Sequence, residues 1–428
     1  MLSAFVNAFK VPELRKKIFF TVFIIIVFRI GSFVPVPGID FDTARRLAEE
    51  SGGVLGLLNL FSGGALSRMA VFALGIMPYI TSSIIMQLLT VVIPKLEQWQ
   101  KEGEAGTKRI TQWTRYLTVA LSLMQATGIT FLFHRGGLRD GQGNPVDLIP
   151  NFTPPRIALI VLTLTAGTAL IMWLGELITQ RGIGNGMSIL IFSSIVSTLP
   201  GETWAIQKQR GWVWFGVIIV LALLIIVAIV IVEQGQRRIP VQYAKRVVGR
   251  KMYGGSSTYI PLKVNQAGVI PIIFASSVLY FPSLISTAIP WEPLSNFVNK
   301  YLVNQASPVY IIFYGVLIVA FAYFYTAISF NPIDVADNMK KYGGFIPGIR
   351  PGRATAEHLD FILTRITLPG ALFIATIALL PSIALATLDV QQLPFGGTSV
   401  LISVGVALET MKQLESQLLM RHYEGFLS

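Results

Sequence analysis

Side chains able to carry chemistry are sparse in this sequence, and they do not gather. His134, His358 and His422 lie far apart, and neither an H-E-x-x-H pair nor a carboxylate pair at helical spacing occurs inside an apolar stretch. The absence of cysteine removes disulfides, thiolate metal sites and cysteine nucleophiles together. The run RGIGNG, Arg181 to Gly186, has the outline of a phosphate-binding glycine loop. That reading needs a strand before it and a helix after it in a soluble unit, whereas this run joins two apolar stretches, so a tight turn is expected. Arg29, Glu176, Glu233 and Asp389 fall towards the ends of apolar stretches. An ion-coupled transporter places costly ionisable groups near the bilayer midplane, and that pattern is missing. Neither a cofactor nor a metal is expected.

The elements that would position any site are membrane helices. The 428 residues are 53% apolar and 13% charged, with a mean hydropathy of +0.63, against about 25% charged residues in soluble domains. A bilayer core of ~30 Å asks for about 20 apolar residues per helix. Ten spans follow, near 18–36, 70–93, 116–134, 157–175, 187–200, 212–232, 268–289, 308–330, 361–387 and 398–415. Residues 1–17 read as a retained, amphipathic, basic interfacial helix rather than a removed signal peptide. Lys and Arg test the topology: 24 fall on the side of the termini and nine on the other, with Arg29 inside the first span. Cytoplasmic loops collect positive charge, so both termini are expected in the cytoplasm. Five spans in each half, 18–200 and 201–415, are compatible with an inverted repeat, although the halves share no visible sequence similarity. A cytoplasmic tail, 416–428, follows.

One stretch departs from plain spans. Phe61 to Thr90 reads FSGGALSRMAVFALGIMPYITSSIIMQLLT, a Gly/Ser-dotted half-segment fused to an apolar span carrying Pro78. Irregular backbone is tolerated in a membrane protein where it is buried in protein or lines a water-filled cavity. The pattern therefore suggests a polar path and something to obstruct it. Pro78, Pro271 and Pro369 are expected to interrupt the second, seventh and ninth spans, with Ser82, Ser83, Gln87 and Asn265 as polar neighbours. The basic loops 233–267 and 331–360 are longer than connectors need, which fits topology signalling or docking of an anionic partner. A passive conduit and a ten-span solute transporter both remain open on these grounds, while an intramembrane enzyme lacks a nucleophile–base pair.

Several long motifs then narrow the choice: FRIGSFVPVPGID (Phe28 to Asp40), NLFSGGALSR (Asn59 to Arg68), ALGIMPYI (Ala73 to Ile80) and MWLGELITQRGIGNG (Met172 to Gly186). Further along come GQRRIPVQYAKR (Gly235 to Arg246), PLKVNQAGVIPIIFASS (Pro261 to Ser277), FNPIDVADNMKKYGGFIPGIRPG (Phe330 to Gly352) and the terminal RHYEGFLS. In this order and over essentially the whole length, the chain resembles the SecY family of protein-conducting channel subunits.

That resemblance implies an all-α polytopic protein of the bacterial cytoplasmic membrane. Ten helices would form two pseudo-symmetric five-helix halves around a central pore closed by a short plug helix, with a lateral gate to lipid between spans two and seven. It implies no catalysis by the chain itself. SecE and SecG would be its companions in a heterotrimer, and SecA or a translating ribosome its energy source. Signal peptides and nascent or secretory polypeptides would be its cargo, and membrane lipid its surroundings.

By position, residues 55–69 match the plug, with Leu55, Leu58, Asn59, Phe61, Ser62, Gly63, Gly64, Leu66 and Arg68. Ile76, Ile80, Ile191, Ile270, Ile273 and Ile402 match the hydrophobic pore ring, and Met187 a place beside it, where a flexible side chain would soften the gasket. Such a ring resists water and ions by dewetting. Ser83, Gln87, Asn265 and Ser276 match the lateral gate. A hydrogen bond between gate helices would be worth ~0.6 kcal/mol, weak enough for a signal helix to displace. Arg237, Arg238, Arg246, Arg250 and Arg350 match docking positions for SecA or the ribosome, and Arg353 is read as a topology determinant.

Overall fold

The computed structural model describes residues 9–39, 62–66, 68–134, 138–139, 145–146, 149, 152–243, 246–248, 251–253, 257–288, 292–304, 307–388 and 397–424. Leu55, Leu58, Asn59, Phe61, Arg250, Asp389 and residues 1–8 of the expected interfacial helix lie outside the described residues, as does the side chain of Arg246.

Prolines decide where many of the helices begin. Helix α1 (Pro12–Gly31) starts with proline in its first turn, where the missing N–H has no intrahelical partner to lose. It ends five residues before the expected limit at 36, because the Ser32 N–H bonds back to the carbonyls of Phe28 and Arg29 and the chain leaves the helix. Residues 34–36 pair instead with the segment before the next helix, through Val36 N–H to Met69 O (2.9 Å) and Val71 N–H to Val34 O (2.8 Å).

Helix α2 (Met77–Val92) corrects a second expectation. Pro78 opens this helix rather than interrupting a span that starts at 70; residues 71–76 form turns, with Gly75 at φ +58°. At its far end Ile93 is extended (φ −99°, ψ 112°), the conformation a following proline imposes, and α3 (Pro94–Lys101) leaves at 101° to α2. Pro271 likewise lies in the first turn of α7 (Ile270–Ala288), and helix continues through Pro369. None of the three prolines divides a helix.

The remaining long helices are α4 (Glu104–His134), α5 (Pro154–Arg181), α6 (Gly186–Gln234), α9 (Pro308–Ser329), α11 (Arg353–Leu388) and α12 (Gly397–Glu424), with short helices α8 (Glu292–Val298) and α10 (Pro332–Lys341) between them. The RGIGNG run is the tight turn its context suggests. Gly184 takes φ +77°, and the Asn185 side chain caps α6 by accepting from the backbone N–H groups of Met187 (3.1 Å) and Ser188 (3.4 Å). Helix α6 runs past residue 200 and breaks at Gly211, whose φ of 83° is open to glycine and strained for other residues.

By length and apolarity, four helical stretches among the described residues could cross a bilayer: Pro154–Arg181, Gly211–Gln234, Pro308–Lys341 and Arg353–Leu380. The bent pair α2–α3 would make a fifth. The expected ten spans are not reproduced by this measure, in part because Gly186–Gly201 and Ile270–Leu279 are short apolar helices.

Small sheets qualify the all-α reading. β1 (Leu138–Arg139) pairs with β2 (Pro145–Val146), and β4 (Arg246–Val248) with β5 (Lys251–Tyr253). The largest lies between membrane helices. β3 (Gln236–Tyr243) pairs antiparallel with β6 (Ser257–Lys263) from Gln236↔Lys263 to Gln242↔Ser257, and its end pairs with β7 (Gly344–Phe345). The two long basic loops are thus one unit. Ile239 and Val241, alternating on β3, are buried with Leu262, Met339, Ile346, Leu359, Ile362 and Leu363. Elsewhere α1, α2, α4, α5 and the first part of α6 pack together, as do α7, α9, α11 and α12, and α7 touches α2 and α4 across the middle.

Candidate channel constriction, plug and gate

The seven expected ring positions come from separate stretches of chain: the end of the turn before α2 (Ile76), then α2 (Ile80), α6 (Met187, Ile191), α7 (Ile270, Ile273) and α12 (Ile402). Six of them are buried in a single apolar cluster, and Ile270 packs on it half-buried. Ile402 is wholly buried. Met187 turns towards α5: its Sδ would lie 2.4 Å from a Cβ placed on Gly175, so it fills the space that glycine leaves.

The described plug positions, 62–66 and 68–69, join the same cluster through Ala65, Leu66 and Met69. Ser62 and Gly63–Leu66 form a tight coil in which the Ser62 Oγ accepts from the Leu66 N–H at 3.1 Å. Gly63 (φ +63°) and Gly64 (φ +83°) allow the coil to tighten, and Met69, at φ 47°, bears local strain of about 1–2 kcal/mol. The next residues thread between helices that have been cleared for them. A Cβ on Gly31 would meet the Phe72 ring at 2.1 Å, and one on Gly167 would lie 2.0 Å from the Val71 carbonyl oxygen. The irregular backbone is buried in protein, as membrane depth requires.

Arg29, read in the sequence as a charge near a span end, reaches this coil. Its Nη1 donates to the Gly63 carbonyl at 3.0 Å and to the Ser197 Oγ of α6 at 2.7 Å. The guanidinium groups of Arg29 and Arg68 both lie over the ring of Phe33, at 5.4 and 4.2 Å from its centroid. Phe33 stands four residues from Arg29, but no local spacing signals its hydrogen-bond partners, which are 34 and 168 residues away.

The hydrogen bonds of Asn265 and Ser276 run to neighbours other than the α2 gate positions Ser83 and Gln87. Asn265 is buried just before α7, and its amide donates to the Glu233 carboxylate at 2.8 Å and to the Gly268 carbonyl at 3.0 Å. Both amide hydrogens are thereby committed away from Gln87, because a nearby carboxylate is the stronger acceptor. Ser276 turns to Tyr314 of α9 (2.9 Å) and to the Ile272 carbonyl (2.8 Å). Ser83 and Gln87 stay half-buried on α2. The helices α2 and α7 do touch. Glu176, another span-end charge, forms a bidentate pair with Arg115 of α4 at 2.6 and 2.7 Å.

Of the docking arginines, Arg237 and Arg238 stand exposed on β3, the latter 4.8 Å over the ring of Tyr259, and Arg350 is exposed after the β7 turn. Arg353 is also exposed and pairs with Glu357 at 2.9 Å.

By fold, the chain matches solved protein-conducting channels. Two solved structures agree with it over 95% of both chains. One is of a SecY protein whose plug domain is described as stabilising the closed state of the translocation channel and maintaining a membrane seal (TM-score 0.63, 17% identity). The other is Sec61 in a canine ribosome–channel complex (TM-score 0.60, 16% identity). The SecY family model matches residues 70–411, and the protein translocase subunit SecY of Streptomyces coelicolor is 57% identical over the full length of both chains. The chain belongs to the SecY family.

Proposed function

We propose that the chain is the protein-conducting subunit through which unfolded polypeptides cross the cytoplasmic membrane and from which transmembrane helices pass sideways into lipid. The reading rests above all on one observation: ring positions from four helices and the plug coil share one buried apolar cluster. A narrow apolar constriction excludes water and ions while yielding around an extended chain. In this reading residues 55–69 are the stopper, α2 and α7 part as the lateral gate, and ten spans form two five-helix halves with both termini cytoplasmic. The charge asymmetry of 24 against nine supports that orientation. SecE and SecG complete the assembly, and SecA or a translating ribosome supplies the energy, so the chain itself needs no catalytic group. Signal peptides open the gate. The membrane seal described for the related plug domain supports the same assignment here.

The absence of native cysteine makes the direct test clean. Single cysteines at Ile80, Ile273 and Ile402 should each crosslink to a polypeptide stalled in transit. Crosslinking at none of the three while transport continues would overturn the ring.

The exposed arginines give an independent expectation. Ribosome binding should weaken for Arg238→Glu and Arg350→Glu, and the slope of log affinity against log salt should flatten by about one for each phosphate contact removed. Unchanged slopes would remove these residues from the docking surface.

A further inference from the structure

We infer that Arg29 is the latch of the closed state, a positioning residue that fastens the plug coil to α6. The inference rests on the plug reading above, and the geometry supplies its mechanism. Arg29 stands in the last turn of α1, half-buried. From there one nitrogen bridges the Gly63 carbonyl (3.0 Å) and the Ser197 hydroxyl (2.7 Å), so a single side chain joins α1, the plug and α6.

The hydroxyl is oriented for this role. Ser197 Oγ donates its own proton to the Ser194 carbonyl at 2.7 Å, which turns a lone pair towards the guanidinium. Gly63 completes the slot. A Cβ there would lie 2.8 Å from Arg29 Nη1 and 3.1 Å from Ser194 Cα, so the bare backbone alone fits between the cation and α6. The exit of the plug is tied by backbone pairing to residues 34–36, which leaves the Gly63 end of the described coil as the one that Arg29 holds. Arg68 on the same Phe33 ring sets a second cation beside the first. Like charges there favour separation, so a plug freed from the carbonyl bond carries Arg68 away from Arg29.

The closed channel should therefore lose its seal when the latch is cut, while the constriction and transport machinery remain. The test uses the full chain in its assembled complex, reconstituted into vesicles, with chloride influx into resting vesicles as readout. Deletion of residues 62–69 should raise the leak and so tests the plug itself. Arg29→Ala should raise it on the order of tenfold or more, the weight of a charge-assisted hydrogen bond. Ser197→Ala removes one neutral-to-cation arm and should raise it about threefold. Arg29→Lys keeps a cation and its donors and should restore most of the seal, which simple loss of packing would not allow.

If the deletion leaks and Arg29→Ala stays as tight as the parent, the latch is wrong and the plug stands. If the deletion itself leaves the seal intact, the plug reading fails and the latch with it. A leak in Arg29→Ala that lysine does not reduce and that Ser197→Ala does not share also overturns the latch.

Discussion

Gly167→Ala is expected to destabilise the protein although it adds one methyl group to the middle of a helix. In an exposed helix the same change stabilises by up to about 1 kcal/mol, because alanine is the better helix former. At Gly167 the new Cβ would stand 2.0 Å from the Val71 carbonyl oxygen and 2.9 Å from its carbon. That neighbour is backbone, so no rotamer change relieves it. Val71 is held in turn by its N–H on Val34 O at 2.8 Å, beside the Pro35–Ala70 bridge. Helix α5 and the stretch leading from the plug into α2 must separate by more than an ångström. Overpacking of this kind costs about 1–3 kcal/mol, and more where the backbone is the obstacle.

Gly128 of α4 provides the control, since a Cβ there meets nothing within 4 Å. Thermal unfolding of the purified complex should show Gly167→Ala melting below the parent and Gly128→Ala at or above it. Because residues 70–76 carry Ile76, a proposed ring position, into the buried apolar cluster, Gly167→Ala should also leak at rest if that ring seals the channel. Equal melting of the two variants would mean that the segment is not seated on α5 as described.

Gly167 also marks the limit of what the amino-acid order discloses. Hydropathy and charge bias identify a polytopic membrane protein, since the bilayer imposes a composition and a length on each span. The Gly/Ser-dotted run before Pro78 is visible as a departure from regular helix. What cannot be read from local pattern is which side chain of a long apolar stretch meets which, since isoleucines on lipid and in a constriction look alike. Ile402 and Ile80 are grouped by folding more than 300 residues of chain. The prolines show the same limit. Pro78 and Pro271 read as helix breakers, yet both begin helices, because the residues before them are already committed to turns. Asn265 was recognisable as a polar residue near the gate, but its partner Glu233 lies 32 residues earlier, at the end of the preceding helix.

On the proposed docking surface, Leu359→Asp is expected to abolish binding of both SecA and the ribosome without altering any arginine. The two basic loops look separate in sequence, yet β3 pairs with β6 from its own loop and with β7 from the other. Leu359, near the start of α11, is fully buried beneath that sheet with Ile239, Val241, Leu262 and Ile346. A carboxylate there has no counter-ion among the residues of that apolar cluster and must either remain charged in a dry site or capture a proton. The cost, about 3–5 kcal/mol by comparison with stranded buried charges, is enough to open a small module anchored by a short core. Opening it removes the common frame that holds Arg237 and Arg238 on one loop and Arg350 on the other. Limited proteolysis should then cut within 233–267, and affinity for ribosomes should fall at least as far as in Arg350→Glu. Leu359→Met, which conserves volume and apolarity, should leave both unchanged. If Leu359→Asp resists protease and still docks, the loops act independently and the shared sheet is not what positions the arginines.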